Sequence, residues 1–261
     1  MDIVPCIPAE SSRRQIIFDA LSKGGASDLL AENVSSNTSN ITDNRHPDFE
    51  SITDDWQISN PEGYAKWFES QITNSVKKDY MEKAQVDELP LFKRKAPLQR
   101  VIQILKRHRD IMFQGNEDSK PISIIITTLA AKAYNGEMDL ESSLISILSS
   151  MGSLINSSSP RIPNPVDPAE DFSDKWGTAE GGRLQLEENF WNWLEQANRD
   201  FDYIFSSDTT SNITTQAARK FLVKLDEDEL QKSLGLRSNP VETKKVNVVS
   251  DPSPPWTSSN K

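Results

Sequence analysis

Cysteine occurs once in the 261 residues, at Cys6, and histidine twice, at His46 and His108. A single thiol excludes a disulfide framework and a thiolate zinc site, and two histidines make a His-rich metal centre untenable. No run of 18 apolar residues occurs, so no segment has the length and hydrophobicity of a membrane span. The N-terminus, MDIVPCIPAESS, carries an acid at position 2 and no basic lead, unlike a secretory signal. Positive charge is also short: 29 Lys and Arg against 39 Asp and Glu give a net charge of −10. That balance excludes a protein that coats nucleic acid with its whole surface, and no sequence-specific DNA binding is expected. Apolar residues make up 36%, which is low for a compact globule and implies a core with long polar loops or tails. No repeat of fixed period is present. These absences place the expected location in the reducing cytoplasm.

What is there is mainly helical. Asp2-Ile3-Val4-Pro5 reads as the end of a buried strand, cut off by Pro5 and Pro8. A core strand at the very start needs neighbours, so further chain is expected before Met1. Ile16, Ile17, Ala20 and Leu21 carry helical spacing, ended by Gly24-Gly25. Residues 33–40 read as a polar loop, 41–44 as a short strand and the stretch to 59 as loop. Asn60-Pro61-Glu62 is a helix start with an Asn cap, proline at the first position and an acid beside it. Tyr64, Trp67, Phe68, Ile72 and Val76 then share one face. Lys120-Pro121 opens a helix that is apolar nearly all round and so should be buried. Residues 139–156 form another amphipathic helix, 157–185 a long loop, 186–205 an aromatic-rich helix and 213–234 the last helices. Residues 237–261, with four prolines, read as linker or disordered tail. The fold class expected is α+β, predominantly α: a remnant of a β-sheet at residues 1–5 and 41–44, followed by a helical lobe. The expected division is 1–59, 60–236 and 237–261.

Segment 91–110, LFKRKAPLQRVIQILKRHRD, is the most polarised. Lys93, Arg94, Lys95, Arg100, Lys106, Arg107 and Arg109 stand against the one acid Asp110, a local excess of +6 in a chain of −10. Leu98, Val101, Ile102, Leu105, Ile111 and Met112 form its apolar stripe. The basic face is either a solvated surface of snorkelling side chains or an anion site, most simply for a nucleoside triphosphate. Ser123 lies on the first turn of the next helix, either satisfied by backbone or aimed at phosphate beside the helix amides. Asp2 is either a solvated strand-end acid or a metal ligand or base; one carboxylate alone cannot build a two-metal site. Trp191 and Trp193 are two apart and do not share a helical face, so that segment reads as core rather than as a stacking platform.

These segments resemble the bacterial CD-NTase family, the cyclic-oligonucleotide-making nucleotidyltransferases of antiphage CBASS signalling, akin to cyclic GMP-AMP synthase and oligoadenylate synthetase. Asp2-Ile3-Val4-Pro5 resembles the strand bearing the family's third catalytic carboxylate. WQISNPEGYAKWF (56–68) is similar to its helix after the catalytic strands, residues 89–113 and 120–134 to its nucleotide-clamping lobe, NPVDPAEDFSDKW (164–176) to a family loop, and Pro254-Pro255-Trp256 to a linker that leads to a sensor domain. The resemblance implies that Asp2 is the catalytic base and Mg²⁺ ligand, and that Lys106 and Ser123 contact the triphosphate. It implies nucleoside triphosphates as substrates, Mg²⁺ as cofactor and CBASS accessory proteins as partners.

The family's Gly-Ser signature and Asp-x-Asp pair lie upstream of its third carboxylate. The only Gly-Ser here, Gly152-Ser153, is followed by no paired acids. The expectation is a C-terminal part of such an enzyme, inactive by itself. The alternative is a non-catalytic helical module that binds nucleotide, RNA or a protein through the basic helix 93–109.

Overall fold

The computed structural model describes residues 6–23, 25–42, 46–53, 55–82, 95–206, 209–221, 228 and 231. Its architecture is α+β and predominantly helical, as the sequence leads one to expect. The expected strand at residues 1–5, with Asp2, and the expected tail at 237–261 lie outside the described residues. So do Lys93 and Arg94.

The front of the chain builds a three-stranded antiparallel sheet in the order β1-β2-β3. β1 (Cys6–Pro8) pairs with β2 (Ser39–Ile41), and β2 with β3 (Gln57–Ser59). Pro8 is tolerated because β1 occupies an edge, where a missing amide interrupts no ladder. Between β1 and β2 run α1 (Ser11–Lys23) and α2 (Asp28–Ser35). Gly25 adopts φ +84°, which lets the chain reverse between them without a Cβ penalty. The expected loop at 33–40 is corrected here: its first residues complete α2 and its last begin β2. The signal for α2 was Ser27-Asp28, because the Ser27 hydroxyl accepts from the Leu30 amide at 3.3 Å and Asp28 complements the first turn. Residues 57–59, expected as loop, form β3.

The helix start read at Asn60 is observed. The Asn60 side chain accepts from the Gly63 amide at 2.8 Å, capping α3 (Pro61–Glu82). Its Nδ2 donates to the Val34 carbonyl at 2.8 Å and to the Thr38 hydroxyl at 3.1 Å. One buried amide therefore fixes α2, the approach to β2 and the start of α3 together. A side chain at Gly63 would collide with that amide, so glycine is required there. Trp67 is buried and Tyr64, Phe68 and Ile72 pack half-buried against the core; the Val76 side chain lies outside what is described.

α4 (Pro97–Met112) has proline at its first position, and the Gln99 side chain accepts from the Ala96 amide at 3.1 Å. Its stripe of Leu98, Val101, Ile102 and Leu105 is buried, while Met112 is exposed. α5 starts at Ser123 and runs to Ala133; Ile125, Ile126 and Leu129 fill the core, but Ile122 just before it is 47% exposed. α6 (Leu140–Met151) is capped by Asp139, which accepts from the Ser142 amide at 2.8 Å, and passes into a 3₁₀ turn at Gly152–Leu154.

The expected loop at 157–185 is the largest correction. It holds an antiparallel hairpin, β4 (Pro163–Asn164) with β5 (Asp167–Asp171), a 3₁₀ turn at Asp174–Gly177 and the short α7 (Ala179–Arg183). The Asp171 carboxylate organises it, accepting from the amides of Arg161 (2.7 Å), Ile162 (3.0 Å) and Ser173 (2.9 Å) and from the hydroxyls of Ser173 (2.6 Å) and Ser159 (3.2 Å). α8 (Leu186–Phe205) matches the aromatic segment: Trp193 is fully buried and Trp191 is 38% exposed, so the two tryptophans do occupy different faces. α9 (Thr210–Phe221) follows, shorter within the described residues than the expected 213–234.

Candidate functional site

The end of α4 and the beginning of α5 meet through one arginine. Arg109, one of the seven cations read on the basic helix, is only 4% exposed. Its Nη1 donates to the Pro121 carbonyl and to the Ser123 hydroxyl, both at 2.9 Å. Its Nε and Nη2 donate to Asp110 Oδ1 at 3.0 and 2.7 Å, and the Lys120 ammonium approaches the same oxygen at 3.3 Å. Arg109 and Lys120 together hold the Asp110 carboxyl below the usual carboxylate range, although some burial opposes them. Arg109 is thus a brace that fixes where α5 begins, and its positive charge is largely committed within the protein.

Lys106 lies one turn before Arg109 on the same face of α4. It is half-buried, and among the described residues no carboxylate contacts it. Partial burial lowers its pKa from the ordinary lysine value and the charge of Arg109 adds to that, while Asp110 pulls the other way. An ammonium held next to a second cation, without a bonded partner, is stabilised by an anion.

Ser123 supplies the neutral half of the arrangement. Arg109 occupies a lone pair of its hydroxyl oxygen, which leaves the O–H hydrogen free to point away as a donor. The residue at the helix N-cap is Ile122, which offers no side-chain acceptor to the first-turn amides of α5. The carbonyl of Ser123 accepts from the Thr127 hydroxyl at 2.8 Å, which tightens this turn. The structure thus joins Ser123 to α4 through Arg109, and Lys106 lies one turn before Arg109 on that helix. The Ser123 hydroxyl and the uncapped first-turn amides of α5 meet at this junction, and that combination accepts oxyanions. Arg107, Arg100 and Lys95 are exposed.

Beside this end of α5 runs a groove of about 950 Å³. Ile122 and Ile124 form one wall, β3 with Asn60 and Tyr64 the second, and Asp167 to Phe172 of the hairpin the third. Tyr64 donates to or accepts from the Thr128 hydroxyl at 2.8 Å, and burial raises its phenol to a pKa of about 12. It stays neutral and ties α3 to α5 across the groove floor. Asp167 has its pKa raised by burial in the hairpin wall, against a lowering by the Ala169 amide and by Arg13. The groove is apolar on the α5 side and carboxylate-rich on the hairpin side.

Among the described residues no three His, Cys, Asp or Glu side chains come together to hold a metal ion. Asp2, the residue expected to hold Mg²⁺, lies outside the described residues.

No family model matches the chain. The chain is similar to the c-di-GMP synthase of Roseivirga ehrenbergii. The two are 38% identical over 128 residues, which cover 46% of this chain and 34% of that protein. The chain thus spans about a third of the length of the curated relative it matches. At 38% identity the likeness supports kinship with proteins that synthesise cyclic nucleotides.

Two groups escaped the sequence reading. Arg109 was counted as one more surface cation; its distinguishing feature was its place in helical register with Leu98, Val101 and Leu105, on the buried side. The second is His108, whose Nε2 lies 2.9 Å from Asp200 of α8; Asp200 also accepts from Gln196 and from Lys220 of α9, both at 2.8 Å. This network lies behind the site and holds α4, α8 and α9 together.

Proposed function

We propose that this chain is the nucleotide-gripping part of a nucleotidyltransferase that makes a cyclic di- or oligonucleotide second messenger from nucleoside triphosphates. The observation that supports the reading is the junction of α4 and α5, where Arg109 joins the Ser123 hydroxyl and the uncapped start of α5 to the basic helix that carries Lys106, next to the groove of about 950 Å³ that Ile122 and Ile124 line. In this reading Lys106 supplies the charge for the triphosphate, Ser123 donates one hydrogen bond, and Arg109 positions Ser123. The groove takes the base and sugar. The similarity to a c-di-GMP synthase supports a cyclic dinucleotide as the product class.

The reaction joins a 3′ or 2′ hydroxyl of one nucleotide to the α-phosphate of another, with pyrophosphate leaving. Asp2 would deprotonate the attacking hydroxyl and contribute to a Mg²⁺ site, which takes carboxylates beyond the one that Asp2 offers. The 261-residue chain by itself is accordingly proposed to bind triphosphates without cyclising them. A cytoplasmic antiphage setting, with accessory proteins and an effector that reads the product, completes the proposal.

Equilibrium binding of labelled GTP and ATP tests it. The expected result is saturable binding of triphosphate, absent for the corresponding nucleoside and weakened about tenfold by Lys106→Ala, the loss of one charge-assisted contact. Equal binding by wild type and variant would contradict it.

A further inference from the structure

A second cavity, of about 460 Å³, opens on another side of the β4–β5 hairpin. Leu21 and Leu30 of the first two helices, Trp67 of α3 and Pro163 and Pro165 of the hairpin turn make its apolar wall, and polar groups make the rest. It is more enclosed than the groove beside α5, and none of Lys106, Arg109 or Ser123 lines it. Lys132 enters from the last turn of α5.

Lys132 makes one hydrogen bond, from Nζ to the Pro163 carbonyl at 3.2 Å. Among the described residues no carboxylate pairs with it. Burial lowers its pKa, and no charged neighbour opposes that shift. An ammonium has three donors, so two remain directed away from the Pro163 carbonyl. The other polar groups of the wall are Ser70, Gln71 and Asn164. The Ser70 hydroxyl is engaged with the Trp67 carbonyl at 2.6 Å, and the Asn164 side chain with Glu170 at 2.6 Å and the Val166 amide at 3.0 Å. They do not neutralise the lysine.

A partly desolvated ammonium with no carboxylate partner is stabilised when an anion joins it. A cavity of this size, with an apolar wall, a few polar groups and one fixed charge, is the form that small-molecule sites take. We propose that this cavity is a ligand site, distinct from the triphosphate site, for a small molecule that carries an oxyanion, carboxylate or phosphate, on an apolar planar body. Lys132 binds the oxyanion, and Trp67, Leu21 and Leu30 bind the body. The hairpin that forms one wall of this cavity also forms a wall of the groove beside α5, through Asn164 in both, so occupancy here is placed to bear on the groove.

The probe is 8-anilinonaphthalene-1-sulfonate, an oxyanion on an aromatic body, compared with N-phenyl-1-naphthylamine, the same body without charge. Titration into the folded 261-residue chain, followed by fluorescence, is expected to show saturable binding of the sulfonate and about tenfold weaker binding of the neutral compound, the worth of one charge-assisted hydrogen bond. Lys132→Met and Lys132→Gln should each erase that preference without lowering the melting temperature, because they remove an unpaired charge. Lys66→Met, which touches only the exposed Glu62 at 3.1 Å, should leave it intact. Displacement by benzoate or by phenyl phosphate then separates the carboxylate from the phosphate source. An unchanged preference in both Lys132 variants would overturn the proposal. So would a fall in their melting temperature with no preference in wild type, since the lysine would then be a structural donor to Pro163 only. Failure here leaves triphosphate binding at Lys106 untouched, and the reverse holds as well.

Discussion

Arg109 directs its guanidinium inward, and the consequences are local and measurable. Removing it leaves the Pro121 carbonyl without its donor and lets the start of α5 drift from α4. Arg109→Met is expected to cost about 2–3 kcal/mol of stability, the penalty for leaving buried polar groups unpaired, and urea denaturation reads it. Lys106→Met behaves differently, because Lys106 braces nothing: its melting temperature should match wild type while triphosphate binding falls. The pH dependence carries a sign. Lys106 has a lowered pKa, so it loses its proton at a lower pH than an ordinary lysine, at 10.5, and binding should decline on the alkaline side earlier than a solvated lysine would give. A titration of triphosphate affinity between pH 7 and the alkaline limit of folding checks this; a flat profile would remove Lys106 from the site. The sequence displayed the charge of both residues but not their difference, since a helical stripe one residue wider than expected turns a surface cation into a buried one.

At the scale of elements, the structure depends on side chains that cap and gather backbone. Asn60 announced itself through Asn-Pro-Glu, and α3 begins there, but its hold on Val34 and Thr38 is a contact over more than twenty residues that no local pattern encodes. Asn60→Ala should cost about 1–3 kcal/mol, more than an exposed cap, because it also strips two partners in the interior. Asp171 is the converse case. DPAEDFSDKW looks like polar loop, and only after the chain folds do five donors converge on one carboxylate. Those bonds lower the Asp171 pKa to about 2 despite partial burial. A group with a depressed folded pKa stabilises the protein above its unfolded value, near 3.8, and that contribution is lost as pH falls toward about 2. Asp171→Asn should therefore loosen the hairpin, seen as faster amide exchange at Ile162 and Ser173, and should flatten the acid limb of stability below pH 4. Unaltered exchange at those amides would refute this role. The short strands stayed hidden because two- and three-residue pairings carry almost no periodicity, and α2 because its cap was set among other serines.

At the scale of the whole molecule, the helical lobe was legible through the stripes of α4, α5 and α8, which bury most of the residues that their spacing selected, though Met112 and Ile122 stay exposed. The polar tie behind them was not. Burial lowers the His108 pKa against the raising influence of Asp200, so the imidazole stays neutral in the fold. The unfolded chain takes up a proton near pH 6.5 that the folded chain refuses, so this contribution is complete above that pH and declines as pH falls below it. Denaturation midpoints between pH 8 and pH 5 should fall accordingly, and His108→Gln should reduce the slope. Wild type and variant with the same slope would show that His108 does not titrate with unfolding. Phosphate is proposed to bind at the junction of α4 and α5, in front of the helical lobe. The most direct measurement is calorimetric titration of inorganic tripolyphosphate, with no base or sugar attached, into the 261-residue chain and its Lys106→Ala variant. Saturable binding to wild type at one site, weakened about tenfold in the variant, is the predicted result. Absence of binding, or equal binding by both, would contradict it.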